Sequence, residues 1–412
     1  MRRLWPLTLR GTGAVALAVA CLILSGELAL PVLMYFALLL FAVVGASVIS
    51  LYAMKRGASV TRALSTDVAA VGRESTVTVA AGLRSALPVP PGRWEDGLPK
   101  ALAGEARGAF PALSSGMRSG ERAVELSYSV TGKRRGVHAI GPLTITSSDP
   151  FGFARRRLVI GDRTPVTIVP AVSDLPPLAN AMGEAGGSLH SSTSQLGQGA
   201  DNLIARPYAS GDSMRRIHWR ATAHRDQLMV RQEEQESTPE ATVVLDLGAL
   251  RWSTDALSSP GADPGFEAGV SACVSIAARL AKEGYTVEVI DTDGTALADP
   301  LDSDADIDDL LARFATLTAR RDDHLERLAA LFAGVTTGPV IVIVGRLHQA
   351  DAEAIAPLAH HSTLPVLLAV APAGGALERA AQAGWRCAHL DPDEDLATSW
   401  ARIGRETNRV FA

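Results

Sequence analysis

The sequence predicts an α/β, doubly wound C-terminal domain, preceded by an antiparallel β-sandwich-like module and an N-terminal transmembrane helical hairpin. Three observations predict it. Residues 28–54 run without a single charge, residues 57–172 repeatedly alternate apolar and polar side chains, and residues 240–412 alternate short apolar runs with amphipathic stretches. At 412 residues the chain has room for two or three folded units.

The apolar run at 28–54 exceeds the roughly 20 residues needed to cross a bilayer. A shorter one, 11–25, precedes it. Three readings of that first segment compete: a signal-peptide core behind Arg2, Arg3 and Arg10, a weak lipobox at Ala18–Cys21, and a first transmembrane helix turned at Ser25-Gly26-Glu27. Lys55, Arg56 and Arg62 follow the second run, whereas the intervening turn carries only Glu27. The bias of positive charge toward the cytoplasmic side therefore predicts a hairpin with both ends inside. A cleaved signal followed by the second span would leave the C-terminal mass on the same side. The expected location is the bacterial plasma membrane, multi-pass, with cytoplasmic C-terminal domains.

A net charge of −5 argues against a nucleic-acid binder. The three cysteines lie far apart, without zinc-ligand spacing, which fits a reducing compartment. Cys387, His389 and Asp391 share one short stretch, but alternate residues of one strand form a fixed row, so a strand edge is expected there and not a nucleophile triad.

Residues 57–172 form the predicted β module. Ser75–Val79, Val124–Val130 and Leu143–Thr146 alternate with period two, Asp149-Pro150-Phe151-Gly152 reads as a turn, and Val166–Pro170 reads as a closing strand. Residues 173–205 read as a Gly/Ser-rich linker. Residues 206–239 hold the densest polar and aromatic stretch, with a short helix expected over Ser213–Ala223, capped by Asp212, and a strand from Gln227. Residues 240–412 alternate strands at 242–247, 286–291, 340–344, 365–370 and 387–390 with helices at 265–283, 306–317, 323–332, 350–360 and 376–384. This pattern predicts a parallel sheet with its ligand crevice at the strand C-terminal ends.

Within 206–239, Arg215, Arg216, Arg220 and Arg225 have the chemistry to receive an anion, and His218 and His224 that of bases or ligands. Pairing of the arginines with Asp212, Asp226, Glu233 and Glu234 is the simpler expectation, and two histidines six residues apart face different sides of a helix. Asp302–Asp309 is an acidic helix start, since the glycine of a calcium loop is missing. The sequence has no phosphate-binding loop, no Gly-x-Ser-x-Gly and no zinc-protease motif.

The run Tyr208-x-x-Gly211-Asp212-x-x-Arg215-Arg216-Ile217-His218-Trp219-x-Ala221-Thr222-Ala223 resembles the signature of the domain-of-unknown-function 58 family. Leu228-x-Val230-Arg231, the paired N-terminal spans and the series Arg135-Gly136, Gly141-Pro142-Leu143 and Asp149-Pro150-Phe151-Gly152 extend the resemblance over most of the chain. Pro207 stands where that family usually has Glu, and His224 where it usually has Arg.

The resemblance implies a von Willebrand factor A-like C-terminal domain. It also implies a MoxR-type AAA+ ATPase as partner in envelope-related or complex-maturation processes. Such domains often hold Mg²⁺ through Asp-x-Ser-x-Ser; here the corresponding run is Asp246-Leu247-Gly248-Ala249-Leu250, with neither hydroxyl. A metal site that is absent or strongly weakened is expected, reduced to Asp246 alone.

The leading expectation is thus a non-enzymatic, membrane-anchored interaction or scaffold protein. It has no cofactor, no catalytic residue, no small-molecule substrate and no nucleic-acid partner. Its interaction residues would be Tyr208, Gly211, Asp212, Arg215, Arg216, Ile217, His218, Trp219 and Ala221. Two alternatives stand beside it: an enzyme with a site around Arg215, His218 and Asp246, and a metal-dependent adhesion protein. Ile217 and Trp219 are expected to pack inward, so that Trp219→Ala costs roughly 3–5 kcal/mol.

Overall fold

The computed structural model describes residues 6–52, 57–65, 69–84, 89–113, 122–177, 195–196, 203–208, 214, 217, 219–225, 227–235, 239–335 and 337–403. They fall into two compact units, 1–171 and 172–412.

The first unit opens with helices α1 (Leu9–Leu28) and α2 (Pro31–Tyr52), both long and apolar enough to cross a membrane. Their turn differs from the expected one. Ser25, Gly26 and Glu27 remain helical, and the chain reverses at Ala29, which is left-handed with φ 51°, and Leu30. Pro31 accounts for the shift: its ring disfavours helical backbone at Leu30, while its fixed φ suits the first residue of α2. The Ser25 hydroxyl donates to the Leu30 carbonyl across the turn.

Eleven strands follow: β1 (Gly57–Leu64), β2 (Ala69–Ala70), β3 (Glu74–Arg84), β4 (Gly92–Asp96), β5 (Leu102–Gly104), β6 (Arg107–Phe110), β7 (Arg122–Gly132), β8 (Gly136–Ile140), β9 (Leu143–Ser148), β10 (Arg155–Ile160) and β11 (Thr164–Val169). They make sheets of order β1-β3-β7-β5, β10-β9-β4-β6 and β2-β11-β8. The period-two alternation does its expected work. Val77, Val79, Ala81 and Leu83 of β3 point into one core with Trp94, Phe110, Tyr128, Ile145 and Ile168. Within that core lies an ion pair, Arg62 to Asp96, whose side chains are 1% and 0% exposed. Arg62, read in the sequence as a charge flanking the membrane, is therefore a core residue of the β module.

The second unit contains a small sheet of order β12-β14-β13, from β12 (Gln195–Leu196), β13 (Leu203–Pro207) and β14 (Met229–Gln235). Of these, β12 and the first three residues of β13 fall inside the stretch read as linker. Leu175, from the same stretch, joins the core of the parallel-sheet domain, and the Pro176 carbonyl accepts from the Trp400 indole.

That domain is a five-stranded parallel sheet of order β16-β15-β17-β18-β19, built from β15 (Glu240–Leu245), β16 (Thr286–Ile290), β17 (Thr337–Leu347), β18 (Ser362–Pro372) and β19 (Arg386–His389). Val243, Leu245, Ile341, Ile343, Val366 and Leu368 face one side with Phe266, Val270 and Ala277 of helix α4 (Pro264–Lys282). Their neighbours Val244, Val340, Val342, Val344 and Leu367 face the other side with Leu325, Ile355, Ala376 and Ala380. Burial on both faces explains why these strands read as unbroken apolar runs.

Helix α5 (Asp304–Phe314) starts on a capping box between Ser303 and Asp306, which gives the acidic stretch its structural role. The segments expected as helices at 323–332 and 350–360 are partly 3₁₀: Leu325–Arg327 and Ala356–His360 are 3₁₀ turns, leaving α-helix at Leu328–Leu331 and at α6 (Gln349–Ile355). The last two helices are α7 (Ala376–Gln382) and α8 (Leu396–Arg402).

Candidate functional site

In a parallel sheet of this order the first and third strands, β15 and β17, part company with their helices at a switch point, and ligands favour the crevice beyond their C-terminal ends. Charged side chains converge there. Asp246 directly follows β15, Asp291 follows β16, and Asp351 lies in the first turn of α6, just after β17. Arg251 comes from a 3₁₀ turn, Ala249–Arg251, laid across the strand ends. Asp323 and Arg320 come from the loop after α5.

Backbone contacts hold this turn in place. The Asp246 amide donates to Ile343 O (2.9 Å), Arg320 N to Leu247 O (2.7 Å), and Ala249 N to Arg320 O (2.7 Å). Asp263, which caps α4 through the amides of Gly265 and Phe266, also accepts from Ser253 N at 2.8 Å. Gly345 of β17 makes the crossing possible, because a Cβ there would collide with the Arg251 carbonyl and the Trp252 ring.

The guanidinium of Arg251, 7% exposed, fills the centre. Its Nη2 donates to both oxygens of Asp323 (2.9 and 3.1 Å) and its Nη1 to Asp351 Oδ1 (3.1 Å). Its Nε lies 3.1 Å from Asp246 Oδ2, an ion contact without hydrogen-bond alignment. The other Asp246 oxygen accepts from Gly248 N at 2.9 Å. Asp291 accepts from Leu247 N and Thr292 N and meets Arg320 at 3.4 Å.

Burial pushes the Asp246 carboxyl up to about 7, against the opposing pull of the Gly248 amide and Arg251, and the negative charges of Asp323 and Asp291 push the same way. The consequence for stability has a definite sign. The unfolded chain releases this proton near the ordinary aspartate value and the folded chain near pH 7, so the folded state binds more protons in between. Stability of this unit is expected to fall as pH rises from about 4 to about 7, by up to roughly 4 kcal/mol, and to level off above. Asp246→Asn removes that slope. Hydrogen exchange of β15 in wild type and variant across this range measures it.

The residues do not fit the Mg²⁺ that the resemblance brings to mind. Asp246 is fully buried and engaged by Gly248 N and Arg251, and Leu250, where a hydroxyl ligand would stand, is 71% exposed. Among the described residues no three His, Cys, Asp or Glu side chains are grouped to hold a metal ion. A guanidinium already occupies the space between the carboxylates.

Of the residues singled out in the sequence, Tyr208 is exposed, with its amide donating to Leu228 O. Ile217 is buried, and it bridges to Val230 of β14. That extended bridge keeps Ile217 out of the helix, so the helix of this segment, α3, spans Trp219–Arg225 and not Ser213–Ala223. Trp219 in consequence is not packed inward. It opens that helix 69% exposed, and truncating it leaves no core cavity. Ala221 lies in the same helix, and Thr222 accepts from Met229 N at 3.0 Å. Gly211, Asp212, Arg215, Arg216 and His218 lie outside the described residues, so of the alternative trio Arg215, His218 and Asp246 only Asp246 is placed. His389 contacts Val370 O at 3.0 Å, while Cys387 is buried beside Trp385, which disposes of the triad.

Sequence reasoning found Asp246 and missed Arg251, Asp323, Asp351 and Arg320. The available signal was positional: Asp246 and Asp291 each end an apolar strand, and Asp351 follows a third, which puts three acids at one sheet edge.

Residues 204–322 match the family model described as protein of unknown function DUF58. The match takes in the stretch Tyr208–Arg231, β15, α4, β16, α5 and both arginines of the strand-end cluster, and so supports the DUF58 family for this part of the chain. The chain matches no curated protein. Among solved structures, it is similar to the CARDB domain of the PF1109 protein from Pyrococcus furiosus, in complex with di-metal ions. The two share 12% identity over 28% of this chain and 93% of that one, with a TM-score of 0.19. A score so low carries no argument from that protein to this one.

Proposed function

We propose that this chain is a membrane-anchored, non-enzymatic interaction protein. The hairpin α1–α2 spans the bacterial plasma membrane, and the β module and parallel-sheet domain lie in the cytoplasm. The parallel-sheet domain is a von Willebrand A-like platform whose partner is a MoxR-type AAA+ ATPase, in envelope-related or complex-maturation work.

The observation that carries this reading is Arg251. It seals the strand-end crevice, where a ligand would otherwise enter, with a guanidinium bound to three carboxylates. A crevice closed by its own side chain suits a surface that is recognised as a whole better than a pocket that turns over a substrate. The exposed Tyr208 and Trp219 give the signature segment side chains of the kind that anchor protein interfaces.

Two experiments test the reading. Protease added to spheroplasts should leave the C-terminal domains intact, while inverted membrane vesicles should expose them; the opposite pattern rejects the topology. Cross-linking of the full chain in native membranes should recover a MoxR-type ATPase, and its consistent absence from the cross-linked material rejects the partner.

A further inference from the structure

The turn Asp149–Ala154 is built into the base of the helical hairpin. Leu7 forms a β-bridge to Ala154, Thr8 N donates to Phe153 O (2.9 Å), and Arg155 N donates to Pro6 O (2.8 Å). The Thr8 hydroxyl, which caps α1, also donates to Gly152 O. Gly11 is required at this contact, because a Cβ there would run into the Phe153 carbonyl. The end of α2 reaches the neighbouring strand: Tyr52 Oη donates to Arg155 O (3.0 Å), and Arg156 both donates to Leu51 O and lies over the Tyr52 ring at 5.3 Å. The turn and the start of β10 therefore sit at the level where both apolar helices end.

The turn itself is fixed from within. Asp149 accepts from the amides of Phe151 (2.9 Å) and Ala154, and Gly152 N donates back to Asp149 O (3.0 Å). This arrangement holds Phe151 outward, 63% exposed and stacked at 6.1 Å on Phe153; Leu9, which follows the Thr8 bonded to Phe153, is 90% exposed. Arg155 and Arg157 are exposed just after the turn, with Arg156 half-buried between them, and Arg10, exposed at the start of α1, brings its guanidinium beside Gly152. An exposed phenylalanine followed along the strand by arginines, placed where two membrane-length helices end, matches the boundary between headgroups and acyl chains.

We propose that Asp149–Arg157 docks on the membrane surface, Phe151 entering the interface and the arginines meeting anionic phospholipid headgroups. This rests on the reading of α1–α2 as a membrane hairpin. The test separates the two. The full chain is reconstituted in nanodiscs of phosphatidylcholine, with or without phosphatidylglycerol, and carries an environment-sensitive fluorophore at Phe151→Cys or, in a second variant, at Leu39→Cys in the middle of α2. The native cysteines Cys21, Cys273 and Cys387 are buried.

Lipids with a quencher near the headgroup should quench the probe at 151 more than lipids quenched deep in the chain, with a blue-shifted emission that strengthens when phosphatidylglycerol is present. The probe at 39 should show the reverse depth order. Quenching at 39 without quenching at 151 overturns the docking while the membrane reading stands. No quenching at 39 overturns both. Quenching at 151 that is the same in both lipid mixtures overturns the role of the arginines.

Discussion

Arg251→Ala is expected to destabilise the parallel-sheet unit by about 3–5 kcal/mol, the usual cost of removing one partner from a buried charge cluster. The arginine is 7% exposed, and its loss leaves Asp246, Asp323 and Asp351 around a void, with side chains 0%, 28% and 12% exposed. Two comparisons separate charge from packing. Arg251→Met fills much of the volume but leaves the carboxylates facing one another. Arg251→Lys keeps the charge but lacks the planar fork that reaches three acids at once. Alanine should therefore be worst, methionine intermediate and lysine mildest. Hydrogen exchange in β15 and β17 reads the loss locally, with β3 and β7 of the other unit as an internal reference. Protection within about 1 kcal/mol of wild type in the alanine variant would remove the cluster from the account of stability.

Arg62→Ala should weaken the β module to a similar extent, about 3–5 kcal/mol. Its Nε and Nη2 grip both oxygens of Asp96 at 2.9 and 2.8 Å, and its Nη1 donates to Asp162 O and Thr164 Oγ1. The Tyr128 hydroxyl donates to the same carboxylate at 2.9 Å, and burial followed by the Asp96 charge drives the Tyr128 pKa well up. Removing the guanidinium strands a fully buried carboxylate with only that hydroxyl to face it among the described side chains. Tyr128→Phe deletes one hydrogen bond to a charged acceptor and should cost less, about 1.5–3 kcal/mol. Here the exchange readout is reversed: β3 and β7 lose protection while β15 and β17 keep theirs.

These two arginines show what the sequence could and could not reveal. The strands of the parallel sheet were legible because burial on both faces demands apolar residues at every position, as in Val340–Val344. The β module was legible where one side of a strand is buried and the other is not, as around Val77 and Val79 of β3. Charge partners carry no such periodicity. Arg62 meets Asp96 across 34 residues, and Arg251 meets Asp323 and Asp351 across 72 and 100, distances set by sheet register and loop path. Asp246 was visible because a strand end has a fixed place in this kind of sheet; the cation that occupies it was not. Trp219 misled for a related reason. Its size argued for burial, but the extended bridge between Ile217 and Val230 decided which residues the following helix turns outward.

The stitching of both helix bases to a single turn and strand has a mechanical consequence. Pro6, Thr8, Leu51 and Tyr52 all bond to residues 152–156, so the near ends of α1 and α2 are clamped at separate points on one β edge. Two points of attachment transmit torque where one would act as a swivel. A change in tilt of the helix pair is thus expected to turn the β edge with it.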